Sequence, residues 1–144
     1  MKYFNIIILV MLMFASVGCI GDSVDAETYA EQKAMYMGKC QDSSTAYTAS
    51  NIALQESMRT MDENSPYDMD KCFRLAKDMG EKAEVYEDDL YQYRSFVLSN
   101  QKELKKCGYD TDRILKSIDG SLIIAEQGIE MSENAMDSIV EAWK

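Results

Sequence analysis

Three observations predict an all-α fold, specifically an elongated antiparallel three-helix bundle with coiled-coil-like packing. Apolar residues recur at steps of three and four over most of the chain, short polar connections separate the periodic stretches, and no run alternates with the two-residue period of a strand. At 144 residues the chain has one domain's length, enough to bury a single core. Helices joined by short connections pack best as antiparallel neighbours.

The first helix is predicted over about 25–64, after a linker at 19–24. Its seam reads Ala26, Ala30, Met37, Cys40, Tyr47, Leu54, Met58 and Met61, interrupted by Lys33, Ser44 and Asn51. Gly38 and Ser43-Ser44-Thr45 mark where it would break or bend.

Asn64-Ser65-Pro66-Tyr67-Asp68 then starts a second helix, over about 66–107. Ser65 stands as N-cap, Pro66 at the first helical position and Asp68 where a negative charge complements the helix dipole. Its seam is the cleanest in the chain: positions 69, 72, 76, 79, 83, 86, 90, 93, 97, 100, 104 and 107 follow without a slip, and only Asn100 is neither apolar nor cysteine. Lys105, Lys106 and Gly108 suit a helix end and the left-handed residue beyond it.

The third helix runs over about 111–143 from an N-cap at Asp110 or Thr111. Its seam is Leu115, Ile118, Leu122, Ala125, Ile129, Met136, Ile139 and Trp143, with Ser132 as the break in the pattern. At ~1.5 Å per residue the longest helix would span about 60 Å.

Upstream of these helices lies a different kind of segment. Lys2 supplies a positive charge, residues 4–14 are apolar apart from Asn5, and small residues follow at Ala15, Ser16 and Gly18. This is the layout of a secretory signal peptide over 1–18, too short to span a membrane comfortably.

Ser16-Val17-Gly18-Cys19 resembles the lipobox of prokaryotic lipoproteins, and Ile20-Gly21-Asp22 is similar to the start of many archaeal lipoproteins, especially those of methanogens. The resemblance implies cleavage before Cys19 and a lipid on its thiol. It covers only about the first 22 residues, and Ser16 stands where leucine is commonest in that motif. The residues also admit an ordinary signal peptide cut nearby, or an uncleaved anchor.

Composition narrows the function. The chain has 25 acidic against 15 basic residues, a net charge of −10, and loss of Lys2 with the leader would leave 14 basic residues and −11. Such an acidic surface disfavours nucleic acid and anionic lipid, which bind through basic patches. The chain lacks histidine, which excludes Ser-His-Asp and Cys-His catalysis and histidine-containing metal sites.

Cys40, Cys72 and Cys107 form no C-x-x-C pair, and on one straight helix Cys72 and Cys107 stand ~50 Å apart, far beyond disulfide reach. They read first as small buried hydrophobes, with one bridge across a bent first helix or an intermolecular pair as the other readings. Cys40 is expected beside Leu90 and Ile129, Asn51 opposite Met79 and Ser132 opposite Tyr86. The last two would each meet water at a rim or fix register through another partner.

Glu84, Glu87, Asp88 and Asp89 share one helical face, which reads first as a solvated face, since a straight helix cannot wrap a cation. Met35, Tyr36 and Tyr91 fall off the seams and are candidates for contact with a partner.

The expectation is a lipid-anchored protein on the outer face of the cytoplasmic membrane. It would have a non-catalytic interaction or structural role, no cofactor or metal, and a protein partner or a second copy of itself. The alternative is an extracytoplasmic helical domain that binds a small molecule or metal, as a sensor would.

Overall fold

The computed structural model describes residues 24–62 and 64–143. The leader and Cys19 lie outside the described residues. Within them the protein is all-helical, with four helices packed against one another: α1 (Val24–Thr60), α2 (Pro66–Ser99), α3 (Gln101–Lys106) and α4 (Thr111–Ala142).

The helix ends follow from local chemistry. Beyond Thr60, the Asp62 carboxylate accepts from the Asn64 backbone N–H at 2.9 Å, and the Asp62 carbonyl accepts from the Ser65 N–H at the same distance. This turn ends α1 a few residues earlier than its apolar pattern suggests. Ser65 then caps α2 by accepting from the Asp68 N–H at 3.3 Å, with Pro66 leading the first turn. Gly108 takes φ 83°, a left-handed conformation that favours glycine, and lets the Tyr109 N–H reach back to the Leu104 carbonyl at 3.0 Å. Asp110 caps α4 through the Arg113 N–H at 3.0 Å.

The second predicted helix is interrupted at Asn100. That residue sits at φ −116°, ψ 18°, and its side-chain amide donates to the Phe96 carbonyl at 2.8 Å. An asparagine amide that competes for its own backbone loosens a helix there. The remaining turn, α3, is pinned by Leu104, which is fully buried.

In contrast, α1 runs unbroken through Gly38 and Ser43-Ser44-Thr45. The hydroxyls that might have opened it bond inside it: Ser43 to the Lys39 carbonyl at 3.0 Å, Thr45 to Gln41 at 2.8 Å and Thr48 to Ser44 at 2.8 Å. A Cβ at Gly38 would meet nothing within 4 Å. Gly38→Ala should therefore stabilise the fold by about 1 kcal/mol, read as a higher denaturant midpoint. A lower midpoint would mean that the glycine serves a contact.

α2 packs against both long neighbours. Against α1, Tyr36 meets Tyr93 and Phe96, Tyr47 meets Tyr86, Ser50 meets Asp78 and Ser57 meets Cys72, so partner numbers fall as α1 numbers rise. Against α4 the order is likewise reversed: Ala76 pairs with Ser132 and Arg94 with Asp119. Tyr47 also crosses from α1 to lie over Gly128 of α4, where an added Cβ would come within 2.7–2.8 Å of its ring and hydroxyl.

The inward face of α1 differs from the seam expected. Positions 26, 29, 33, 36, 40, 43, 47, 50, 54, 57 and 61 are all buried or half-buried, and they step by three and four throughout. Of the expected positions, Met58 is instead exposed. Ser43, Ser50 and Ser57 sit inside on a seven-residue repeat, where their small side chains leave room for α2. Ser50 Oγ donates to the Asp78 carboxylate, and Cys72 Sγ donates to Ser57 Oγ at 3.3 Å.

Candidate functional site

Cys19, the expected lipid-attachment residue, lies outside the described residues. Within them, three places gather the residues of interest.

The first is an aromatic cluster between α1 and α2, toward the start of α1. Tyr36 stacks on Phe96 with centroids 5.0 Å apart and on Tyr93 at 6.2 Å. Lys33 Nζ stands 4.9 Å from the centre of the Tyr109 ring, and Lys39 lies over Tyr36 at 6.0 Å. Lys33 thus keeps a seam position by laying its stem along the core and its charge on an aromatic face. Tyr36, expected as a surface contact, is half-buried core here, because the true repeat of α1 includes position 36. Met35 and Tyr91 are about half exposed, at 50% and 49%.

Cys40 lies in this region, near Asp89 and Tyr93. Burial and then the Asp89 charge push its thiol up to about 12. A thiol shifted in this direction holds less thiolate at neutral pH and is a weaker nucleophile. Tyr93 is pushed upward by burial, and next by Cys40 and Tyr109. Its hydroxyl is buried, and among the described residues it finds no hydrogen-bond partner. Removing an unsatisfied buried hydroxyl relieves a desolvation penalty, so Tyr93→Phe should raise stability by about 1 kcal/mol in chemical denaturation. A loss of stability would show that the hydroxyl is satisfied after all.

The second place is the polar interior between α2 and α4. Ser132 was expected opposite Tyr86 or at a wet rim, but it is 1% exposed and donates to the Ala76 carbonyl at 2.7 Å. Gly80 and Ala76 make the space: a Cβ on Gly80 would fall 2.5 Å from Ser132 Oγ. The shift along α4 follows from α3 and the 107–110 connection, which lengthen the turn between the two long helices. Asn51 is half-buried, receives the Gln55 amide at 2.9 Å and bonds Tyr47 on its own helix, while Ser50 beside it reaches Asp78 of α2. Burial raises the Tyr47 hydroxyl pKa, and that bond to Asn51 partly opposes the shift.

Cys72 is fully buried and, like Cys40, carries a free thiol. Glu84, Glu87, Asp88 and Asp89 are exposed or half-exposed along α2, and among the described residues no three His, Cys, Asp or Glu side chains converge as metal ligands would.

The third place was not singled out by the sequence. Where α1 ends, α2 begins and α4 ends, Met69, Cys72 and Ile139 form a small core of their own, joined by Met61 and Phe73. Around it Met58, Tyr67, Val140 and Trp143 are exposed, Tyr67 the most at 71%. Each lies within a helical turn of a member of that core. Trp143 continues the α4 seam, yet it is 48% exposed at the C-cap of α4. Its place at the end of a periodic pattern was the one available signal.

Comparison with known protein families, with curated proteins and with solved structures finds no match.

The functional reading therefore rests on the residues themselves. Among the described residues, no helix is long and apolar enough to cross a membrane.

Proposed function

We propose that the protein is a lipid-anchored cell-surface helical protein with a non-catalytic interaction or structural role, held at the outer face of the cytoplasmic membrane through a lipid on Cys19. Its body is an elongated antiparallel three-helix bundle with coiled-coil-like packing. The observation that carries this reading is the leader, Phe14-Ala15-Ser16-Val17-Gly18-Cys19-Ile20-Gly21-Asp22, with its lipobox-like end.

Two features support it. Helix α1 begins at Val24, five residues beyond Cys19, so an anchor there would hold the body by one end. The contact order between helices is reversed for both long pairs, and the steps of three and four persist inside. An acidic body of this kind needs a tether to stay at a membrane, and two or more lipid chains on one residue supply it.

Replacing Cys19 by Ser tests the anchor. The variant should move from the membrane fraction to the soluble fraction, and the mass of its N-terminal peptide should lack lipid. A Cys19→Ser chain recovered still firmly membrane-bound would overturn the reading.

A further inference from the structure

The contacts that align the helices also sort the charge. Tyr36–Tyr93, Tyr47–Tyr86, Ser132–Ala76 and Arg94–Asp119 set residues 24–42, 89–107 and 108–122 beside one another, and residues 43–62, 64–88 and 123–143 beside one another. The half containing the start of α1 has nine acidic and eight basic residues, a net of −1. The other half has fourteen acidic and five basic residues, a net of −9. Nearly all of the chain's charge of −10 therefore resides at the end away from the start of α1.

That acidic half ends in the apolar tip formed by Met58, Tyr67, Val140 and Trp143. Exposed apolar side chains scattered singly need no explanation. Here four of them stand at the one end where α1 ends, α2 begins and α4 ends, within the acidic half.

We propose that this tip docks a cationic protein segment that carries an apolar anchor. The inference deepens the interaction role given above and does not depend on the lipid. Charge decides among the occupants. A second copy meeting tip to tip would set −9 against −9, and an anionic lipid surface or a nucleic acid would be repelled in the same way. A lysine- or arginine-rich segment is drawn to this half by its field, and the apolar residues at the tip then give it something to bury.

Trp143 is the chain's single tryptophan and stands at the tip, so it reports docking directly. The full chain in neutral detergent is titrated with a short peptide of lysine and serine containing two leucines, and in parallel with the same peptide carrying glutamate for lysine. The lysine peptide should shift Trp143 emission to shorter wavelength, with affinity falling about tenfold as salt screens the field. The glutamate peptide should leave emission unchanged.

Tyr67→Ser, at a side chain exposed enough to leave the fold intact, should weaken the lysine peptide about tenfold with unchanged helicity. Asp112→Asn, at the opposite end, should have no effect. Equal response to both peptides, an unchanged affinity in Tyr67→Ser, or a concentration-dependent Trp143 shift without peptide, which would mean self-association, would each overturn the proposal. The two readings fail separately: a Cys19→Ser chain that stays membrane-bound sinks the anchor and leaves the peptide result standing, and the reverse holds for a chain that releases but binds no lysine peptide.

Discussion

Leu104→Ala is expected to cost about 3 kcal/mol of stability, the usual range for emptying a fully buried leucine site. Leu104 is the buried residue of α3, the single turn left after Asn100 interrupts the long helix. Alanine keeps helix propensity, and the Tyr109 N–H still reaches the backbone carbonyl at position 104, so the loss isolates packing. The consequence is local as well as global. α3 carries the chain from α2 to α4, so an unpinned α3 loosens the connection. Urea denaturation should show a lower midpoint with an unchanged slope. A loss under about 1 kcal/mol would show that the turn is held by something else.

Gly80→Val should also cost about 3 kcal/mol, by overpacking. A Cβ on Gly80 would stand 2.5 Å from Ser132 Oγ and 3.0 Å from Ser132 Cβ, and Ser132 has no free direction because its hydroxyl is committed to the Ala76 carbonyl. Valine and glycine differ little in helix propensity, so the cost is steric. Ser132→Ala alone should lose about 1 kcal/mol with its hydrogen bond. The double variant should nevertheless be more stable than Gly80→Val, since removing Oγ clears the nearest clash. Such a sign of coupling is expected only for residues in contact. Additive losses in a double-mutant cycle would contradict the close approach of α2 and α4 at this point.

How legible the fold was depended on which residues wrote the pattern. α2 could be read directly because almost every position of its seam is apolar or cysteine, and the seam lies inside along its length. Asn100 was the exception in that list, and it is where the helix yields. In α1 the expected seam at 26, 30, 37, 40, 47, 54 and 61 lies inside or half inside, and Met58 is the position that is exposed. The inner face is wider than that seam, because Tyr36, Ser43, Ser50 and Ser57 are buried or half-buried as well. Serine is a poor signal of burial in a sequence, because its hydroxyl must find a partner before it can go inside. Here the partners are Asp78, Cys72 and the helix's own carbonyls, none of which a one-dimensional pattern reveals.

The candidate sites divided in the same way. The proposed leader and Cys19 form a linear motif, which a sequence displays without any fold. The tip is a property of three chain segments far apart in number, and the separation of charge appears only once the helices are laid side by side. Tyr36 shows the converse: a residue off the expected stripe looked like surface until the register placed it on Tyr93 and Phe96.

The serines on α1 have one more consequence, for motion. α2 turns methionine, tyrosine, leucine and valine toward the core, whereas α1 turns Ser43, Ser50 and Ser57 inward and so buries less apolar surface per turn. Cohesion between packed helices scales with that surface, and the least cohesive element opens first on the way to unfolding. α1, with Ala26, Tyr47 and Leu54 as its buried apolar residues against Ile114, Ile118, Leu122, Ala125 and Ile139 on α4, is thus the helix expected to peel away first, and it is the element that begins five residues from Cys19.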